Sequence, residues 1–290
     1  MYHTPVMLKE AIAALNIEKG KSYIDCNLGG GGHTAEILKL GGNVLAFDVD
    51  ENAIKHCMQR FEKEIANGLL RPANSNFRDI DKVAKENGLK EGSVSGILYD
   101  LGTSTFQLKE EKKGFSFDDK TELDMRMDSS LSVMAYDLLI VLSEKELEKL
   151  IQAYGEEPQA KKYAKAIKEA VKTSKRKLLA FEIAELIKKS SRYSHSRIHP
   201  ATRVFQALRI AVNSELENLR LSIERATPLL CSKGRLVVIS FHSLEENVVE
   251  KIAGSQDNLF QVTGPEVPTN LEVDVNPSSR SAKMRVFEKK

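Results

Sequence analysis

Short apolar runs alternate with stretches of helical periodicity through the first hundred residues. Tyr23-Ile24-Asp25-Cys26, Asn43 to Asp48, Leu69 to Ala73 and Val94 to Asp100 are brief and continuous, which predicts buried strands. Between them, Asn52 to Ala66 carries Ala53, Ile54, Cys57, Phe61 and Ile65 at helical spacing, and Thr34 to Leu40 predicts a shorter helix. Strands alternating with helices imply right-handed crossovers and a parallel sheet covered on both faces. Pro72 removes a ladder donor from the third run, so that strand belongs at an edge. In a doubly wound sheet ordered 3-2-1-4-5 it is the edge.

A fifth strand, Arg235 to Phe241, comes only after 134 further residues. A crossover helix with its loops needs about 20 to 30, so a segment is inserted after strand four. The helix that returns to the sheet is expected to run from Pro200 through Val204, Leu208, Ala211, Val212, Leu216, Leu219 and Ile223 to a stop at Ser232-Lys233-Gly234. This assigns residues 1–105 and 200–290 to the core and 106–199 to a helical insert, with Leu138 to Tyr154 and Gln159 to Ser174 its clearest helices. A helix from Leu244 to Ile252 and two late strands, Leu259 to Thr263 and Ala282 to Phe287, close the chain. A parallel sheet closed by late strands is the pattern of a Rossmann-like methyltransferase core.

Strand one runs into Leu28-Gly29-Gly30-Gly31-Gly32-His33-Thr34 at the start of a helix. Such a loop lets backbone N–H groups approach a ligand, and a helix N-terminus favours an anionic group. Strand two ends in Asp48, nineteen residues beyond Gly29, where an acid can accept both hydroxyls of a ribose. The combination points to an adenosine-containing cofactor, and NAD and S-adenosylmethionine (SAM) are both held this way. A helix ahead of strand one and the late strands favour SAM.

Composition changes the picture in two places. The three cysteines, Cys26, Cys57 and Cys231, form no C-x-x-C pair, and no His, Cys and carboxylate set has metal-ligand spacing, so neither disulfides nor a metal are expected. No apolar run is long enough for a membrane span, and the N-terminus lacks a signal pattern, which points to a cytoplasmic protein. The net charge is only +2, which alone argues against a nucleic-acid partner. The charge is uneven, however: residues 156–209 hold 14 Lys plus Arg against 5 Asp plus Glu, leaving 29 against 36 elsewhere. Lys161, Lys165, Lys168, Lys172 and Lys175 recur on one helical face, and the aromatic and basic run Arg192 to His199 follows. A solvated face and a phosphate-binding face both fit that stripe.

Strand four delivers Asp100-Leu101-Gly102-Thr103-Ser104-Thr105-Phe106-Gln107 to the carboxyl edge of the sheet, where ligands of such folds bind. Leu28 to His33, Asp100 to Gly102 with Gln107-Leu108, Gly114 to Phe117, Leu123 to Asp128, Tyr154 to Glu157, His199 to Arg203 with Phe205 to Ala207, Ser240 to Glu245, and Asn276-Pro277 with Arg280 to Ala282 follow in order. Together they resemble the bacterial ribosomal RNA small subunit methyltransferase H family, over nearly the whole chain. The resemblance implies a class I SAM-dependent methyltransferase core with an inserted helical substrate-recognition domain. It also implies methyl transfer to N4 of a decoding-centre cytidine in 16S rRNA within the small ribosomal subunit; a homodimer is compatible with it. By position it implies that Gly31, Gly32, His33, Asp48, Phe77, Asp100 and Gln107 hold SAM. Thr103 to Phe106 stands where the family commonly has Val-Ser-Ser-Pro.

A cytosine amine is a poor nucleophile, so it must be held in line with the methyl group while an acceptor takes its N–H hydrogen bonds. Asp100 is the expected catalytic residue, acting directly or by fixing SAM. The aromatic that stacks the base would be Phe106, Phe115, Phe117 or Phe241. Expected substrate contacts are Lys161, Lys165, Lys168, Arg203, Arg209 and His242, the last as general base or as a structural residue. Thr202, Gln206, Arg209 and Asn213 share one stripe that either meets RNA or is an exposed face. Asp124, Arg126 and Asp128 form an internal cluster or contact the nucleotide. Two rival readings remain: an NAD-dependent oxidoreductase and a ribosome-assembly protein with a decayed site.

Overall fold

The computed structural model describes residues 5–102, 112–191 and 199–290. The chain divides into two compact units, residues 1–102 with 216–290, and residues 103–215.

The first unit is built on a seven-stranded sheet in the order β3-β2-β1-β4-β5-β7-β6. Its strands are β1 (Ser22–Asp25), β2 (Asn43–Asp48), β3 (Leu70–Asn74), β4 (Val94–Asp100), β5 (Leu230–Ser240), β6 (Leu259–Glu266) and β7 (Lys283–Lys289). Pairing is parallel from β3 to β5, and β7 runs antiparallel to both β5 and β6. This is the mostly parallel sheet with late antiparallel closure that the sequence predicts. Pro72 lies in β3, at the edge. The helices of this unit are α1 (Leu8–Leu15), α2 (Gly32–Lys39), α3 (Glu51–Arg60), α4 (Glu62–Ala66) and α5 (Ile80–Glu86), followed much later by α11 (Glu215–Ala226), α12 (Ser243–Gly254) and α13 (Asn270–Val275). Apolar clusters cover both faces of the sheet. Ile24, Leu45, Ile97, Leu236 and Val238 pack with Ile80, Leu219 and Ile223 on one side, and Tyr23, Val44, Leu98, Val237 and Ile239 pack with Leu15 and Ile37 on the other. The central strands therefore read as continuous apolar runs.

The second unit is helical: α6 (Ala135–Val141), α7 (Glu144–Gly155), α8 (Ala160–Thr173), α9 (Ala180–Ser190) and α10 (Thr202–Asn213). Its own core gathers Leu139, Leu147, Ile151, Tyr163, Ile167, Ile183, Ile187, Val204, Phe205 and Leu208. Helices α7 and α10 cross where a Cβ at Gly155 would overlap the carbonyl of Arg203.

Two expectations change. The long helix from Pro200 to Ile223 is two helices, α10 and α11, separated by Ser214 in a left-handed conformation at φ 51°. Because Val204, Phe205 and Leu208 are buried in the helical core, α10 belongs to the second unit, and the boundary falls at residue 215 rather than at 199. The expected stop at Ser232-Lys233-Gly234 is an irregularity inside β5, where Lys233 has φ 65° and the register against β4 shifts.

Candidate active site

The carboxyl ends of β1, β2 and β4 converge around the glycine loop. Its first turn is set by the Gly31 N–H, which donates to the Leu28 carbonyl at 2.7 Å. Gly31 has φ 75°, and a Cβ there would press on Phe61 and Cys57; a Cβ at Gly32 would overlap the Pro5 ring. The missing side chains at both positions thus serve the protein's own packing. Gly32 and His33 open α2, so their N–H groups lie outside its ladder and face any ligand at the helix start.

Asp48 ties this loop to the next turn. Its Oδ2 accepts from the Gly29 N–H at 2.8 Å and its Oδ1 from the Asp50 N–H at 2.9 Å. Burial pushes its carboxyl up to about 7 against the opposing pull of these bonds. Asp50 caps α3 by accepting from the Asn52 N–H at 2.8 Å. Asp25 was not among the residues expected from sequence, yet it is 1% exposed and braces the loop from below, accepting from the Thr34 hydroxyl at 2.7 Å and the Asn27 N–H at 3.1 Å. Its signal was available, as an acid inside an otherwise apolar strand run.

Asp100 closes β4, with its Oδ2 3.7 Å from Nδ1 of the buried His33. Desolvation raises its carboxyl to about 6; His33 opposes the rise, while the charges of Asp25, Glu245 and Glu272 add to it. Among the described residues, three buried polar atoms at the ends of β1 and β4 and the start of α2 have no hydrogen-bond partner: Asn27 Oδ1, Asp100 Oδ1 and His33 Nε2. Unsatisfied buried groups cost free energy, and such atoms mark where a ligand would satisfy them. Phe77 follows β3, its ring 5.7 Å edge-on to Tyr99, whose hydroxyl meets Ser222 at 2.6 Å. Gln107, and with it Phe106, lies outside the described residues.

The turn after β5 fixes His242. Its Nδ1 accepts from the Glu245 N–H at 3.3 Å, while the buried Glu245 carboxylate accepts from the Phe241 N–H at 2.8 Å. Nε2 of His242 sits 3.2 Å from Glu245 Oε1. Nδ1 thus caps α12, while the buried Nε2 has no hydrogen-bond partner among the described residues. Phe241 lies against Gly102, where a Cβ would come within 3.1 Å of its ring.

Within the second unit, Lys161, Lys165 and Lys172 are exposed along α8. Lys168 is not available in the same way: its ammonium donates to the carbonyls of Leu139, Ile140 and Leu142 at 2.8, 3.0 and 2.5 Å, capping the end of α6. Arg203 donates to the Glu156 carbonyl at 3.1 Å, and Arg209 makes a two-pronged pair with Glu215 at 2.8 and 2.9 Å. The polar stripe of α10 turns inward: Gln206 bonds the Tyr154 carbonyl, and Asn213 brackets Met125 and Met127 through their backbone. Arg126 closes on Asp124 and on the Leu131 carbonyl, so this pair is internal; Asp124, raised by burial, is held below the usual carboxylate range by Arg126. Phe115 is buried in the helical core, and Phe117 stacks on His199 at 4.6 Å. Residues 192–198, including Arg192, Tyr193 and Arg197, lie outside the described residues.

Among known proteins, the chain is similar to the ribosomal RNA small subunit methyltransferase H of Sulfurihydrogenibium sp. (strain YO3AOP1), 39% identical over 98% of both chains. It is likewise similar to the protein of that name from Pseudothermotoga lettingae, 38% identical over 99% of each. A solved rRNA methylase from Streptococcus thermophilus aligns over 100% of this chain and 98% of its own at 12% identity and a TM-score of 0.47, too distant to bear on the site. The model of the MraW methylase family spans residues 1–290, and with near-full-length relatives at 38–39% identity the chain belongs to that family.

Proposed function

We propose that the protein transfers a methyl group from SAM to the exocyclic N4 amine of a cytidine in the decoding centre of 16S rRNA. The observation that carries this reading is the pair of buried atoms on Asp100 and His33 that have no hydrogen-bond partner among the described residues, near the carboxylates of Asp25 and Glu245. A desolvated acidic site suits a small cation with hydrogen-bond donors, and SAM carries both an ammonium and a sulfonium. Gly31, Gly32 and His33 would hold the donor at the start of α2, with Asp48 at its ribose and Phe77 against its adenine. Asp48 retains lone pairs beyond its two backbone bonds with which to accept hydroxyls.

When bound, the cofactor supplies an electrophilic methyl on a positively charged sulfur. Asp100 would accept from the amine N–H and hold its nitrogen in line, which matters because the lone pair is delocalised into the ring. The proton released as the new C–N bond forms can pass to Asp100 or to water. Phe241, placed against Gly102 beside Asp100, is the described aromatic in this unit best set to stack the base. His242 shapes this turn through Nδ1, and its Nε2, without a hydrogen-bond partner among the described residues, would meet the substrate. The exposed lysines Lys161, Lys165 and Lys172 would bind phosphates, so the helical unit recognises substrate.

Mass spectrometry of 16S rRNA nucleosides from cells with and without the protein tests the reading. Loss of an N4-methylcytidine-type nucleoside, restored by the wild type but not by Asp100→Ala, is expected; an unchanged spectrum would overturn it.

A further inference from the structure

The segment ahead of α1 has no part in the chemistry above, yet independent observations tie it to the glycine loop. The Pro5 ring fills the space where a side chain on Gly32 would stand. Met7, fully buried, holds a left-handed backbone at φ 49°, a conformation that costs free energy in a residue with a Cβ. From the same residue a bond crosses the chain: the Met7 N–H donates to Glu272 Oε1 at 2.6 Å, from α13. A backbone donor on a carboxylate is among the stronger hydrogen bonds in proteins. Of the charges that raise the Asp100 carboxyl, that of Glu272 contributes least.

We propose that Glu272 is a positioning residue for the methyl donor: through the Met7 N–H it fastens Pro5 to Met7 as a strap across the glycine loop, and the strap holds the first turn of α2 in its binding position. The proposal rests on reading that loop as the SAM site. Pro5 does for Gly32 what a side chain would do, buttressing the turn while leaving its N–H groups accessible to the donor. Releasing the latch frees the turn, and ligand binding must then order it, which weakens affinity. The chemical step, made at Asp100, is left largely untouched.

Two variants separate the contributions of Glu272. Glu272→Gln keeps an oxygen acceptor for the Met7 N–H and removes the charge; Glu272→Ala removes both. S-adenosylhomocysteine, which lacks the sulfonium charge, is the probe for titration calorimetry. Glu272→Ala is expected to bind it about tenfold more weakly, to raise KM for SAM with little change in kcat, and to speed hydrogen exchange at residues 5–9 and 31–34 of the ligand-free protein. Glu272→Gln should recover part of the affinity for S-adenosylhomocysteine and slow the exchange relative to Glu272→Ala. Wild-type affinity in Glu272→Ala, or a Gln variant as weak as the Ala one, would overturn the proposal. If the wild type itself does not bind S-adenosylhomocysteine, the cofactor reading falls instead, while accelerated exchange in Glu272→Ala would still uphold the latch.

Discussion

Asp100 combines a costly placement with the position where chemistry is expected, and the two can be separated by pH. Its carboxyl is raised to about 6, first by desolvation and then by neighbouring carboxylates. A carboxyl raised on folding binds its proton more tightly in the folded state, so its contribution to stability is fully present below the unfolded value and is lost as pH rises through about 6. Asp100→Asn keeps the shape and removes the charge, and Oδ1 has no partner to lose among the described residues. The variant should melt like the wild type near pH 4, be more stable by about 1 kcal/mol near pH 8, and transfer no methyl groups. Thermal scans at the two pH values check the first half; a variant no more stable at the higher pH would remove the desolvation argument. Asp48, raised to about 7, titrates in the same direction. Binding of S-adenosylhomocysteine should therefore tighten as pH rises from about 6 to 8, because the ionised carboxylate is the better acceptor for ribose hydroxyls. Much of this site was legible from sequence, since Gly29 to His33, Asp48 and Asp100 sit at the ends of strands whose order follows from alternation. Asp25 carried a signal, as an acid inside an apolar strand run, but Glu272 carried none, because it meets Met7 only through a contact 265 residues away in the chain.

Helix α8 shows how a periodic pattern can mix two roles. Its lysines fall on one helical face, and periodicity cannot tell which of them has a neighbour. Lys168 lies at the margin of the stripe and caps three carbonyls of α6, whereas Lys161, Lys165 and Lys172 face outward. Lys168→Ala should then cost about 1–3 kcal/mol of stability, measured by denaturant unfolding, with little change in the salt dependence of RNA binding. Replacing Lys161, Lys165 and Lys172 together by Gln should do the reverse, leaving stability within about 0.5 kcal/mol and lowering the slope of log K against log salt by about 2. A triple variant with an unchanged slope would show that these lysines do not meet phosphate. Helix α10 carries the same lesson for amides. Gln206 and Asn213 share a face with Arg209, but their partners are the backbone of Tyr154, Met125 and Met127, residues that only the folded chain brings within reach.

At the scale of the whole molecule, the alternation of strands and helices was enough to order the sheet, including Pro72 at its edge and the late antiparallel closure. What it missed was the seam between the units. The apolar face from Val204 to Ile223 is continuous in sequence, but Ser214 turns it, and the two halves enter different cores. The charge picture sharpens in consequence. Residues 103–215 carry 21 basic and 17 acidic side chains, so the basic excess of residues 156–209 is offset by acidic residues elsewhere in the same unit. The basic excess is therefore confined to one stretch of that unit. All seven strands and both apolar clusters that cover the sheet lie in the first unit, which implies that it can fold without the second. Replacing residues 103–215 by a flexible Gly/Ser linker of about 20 residues should leave a protein with a single cooperative thermal transition and measurable S-adenosylhomocysteine binding. It should show no methylation of 16S rRNA, and its RNA affinity should be lower than that of the intact chain and less dependent on salt. Calorimetry and filter binding at two salt concentrations read these outcomes. Absence of a cooperative transition would show that the sheet needs the helical unit to fold; undiminished RNA affinity would place recognition on the sheet unit instead.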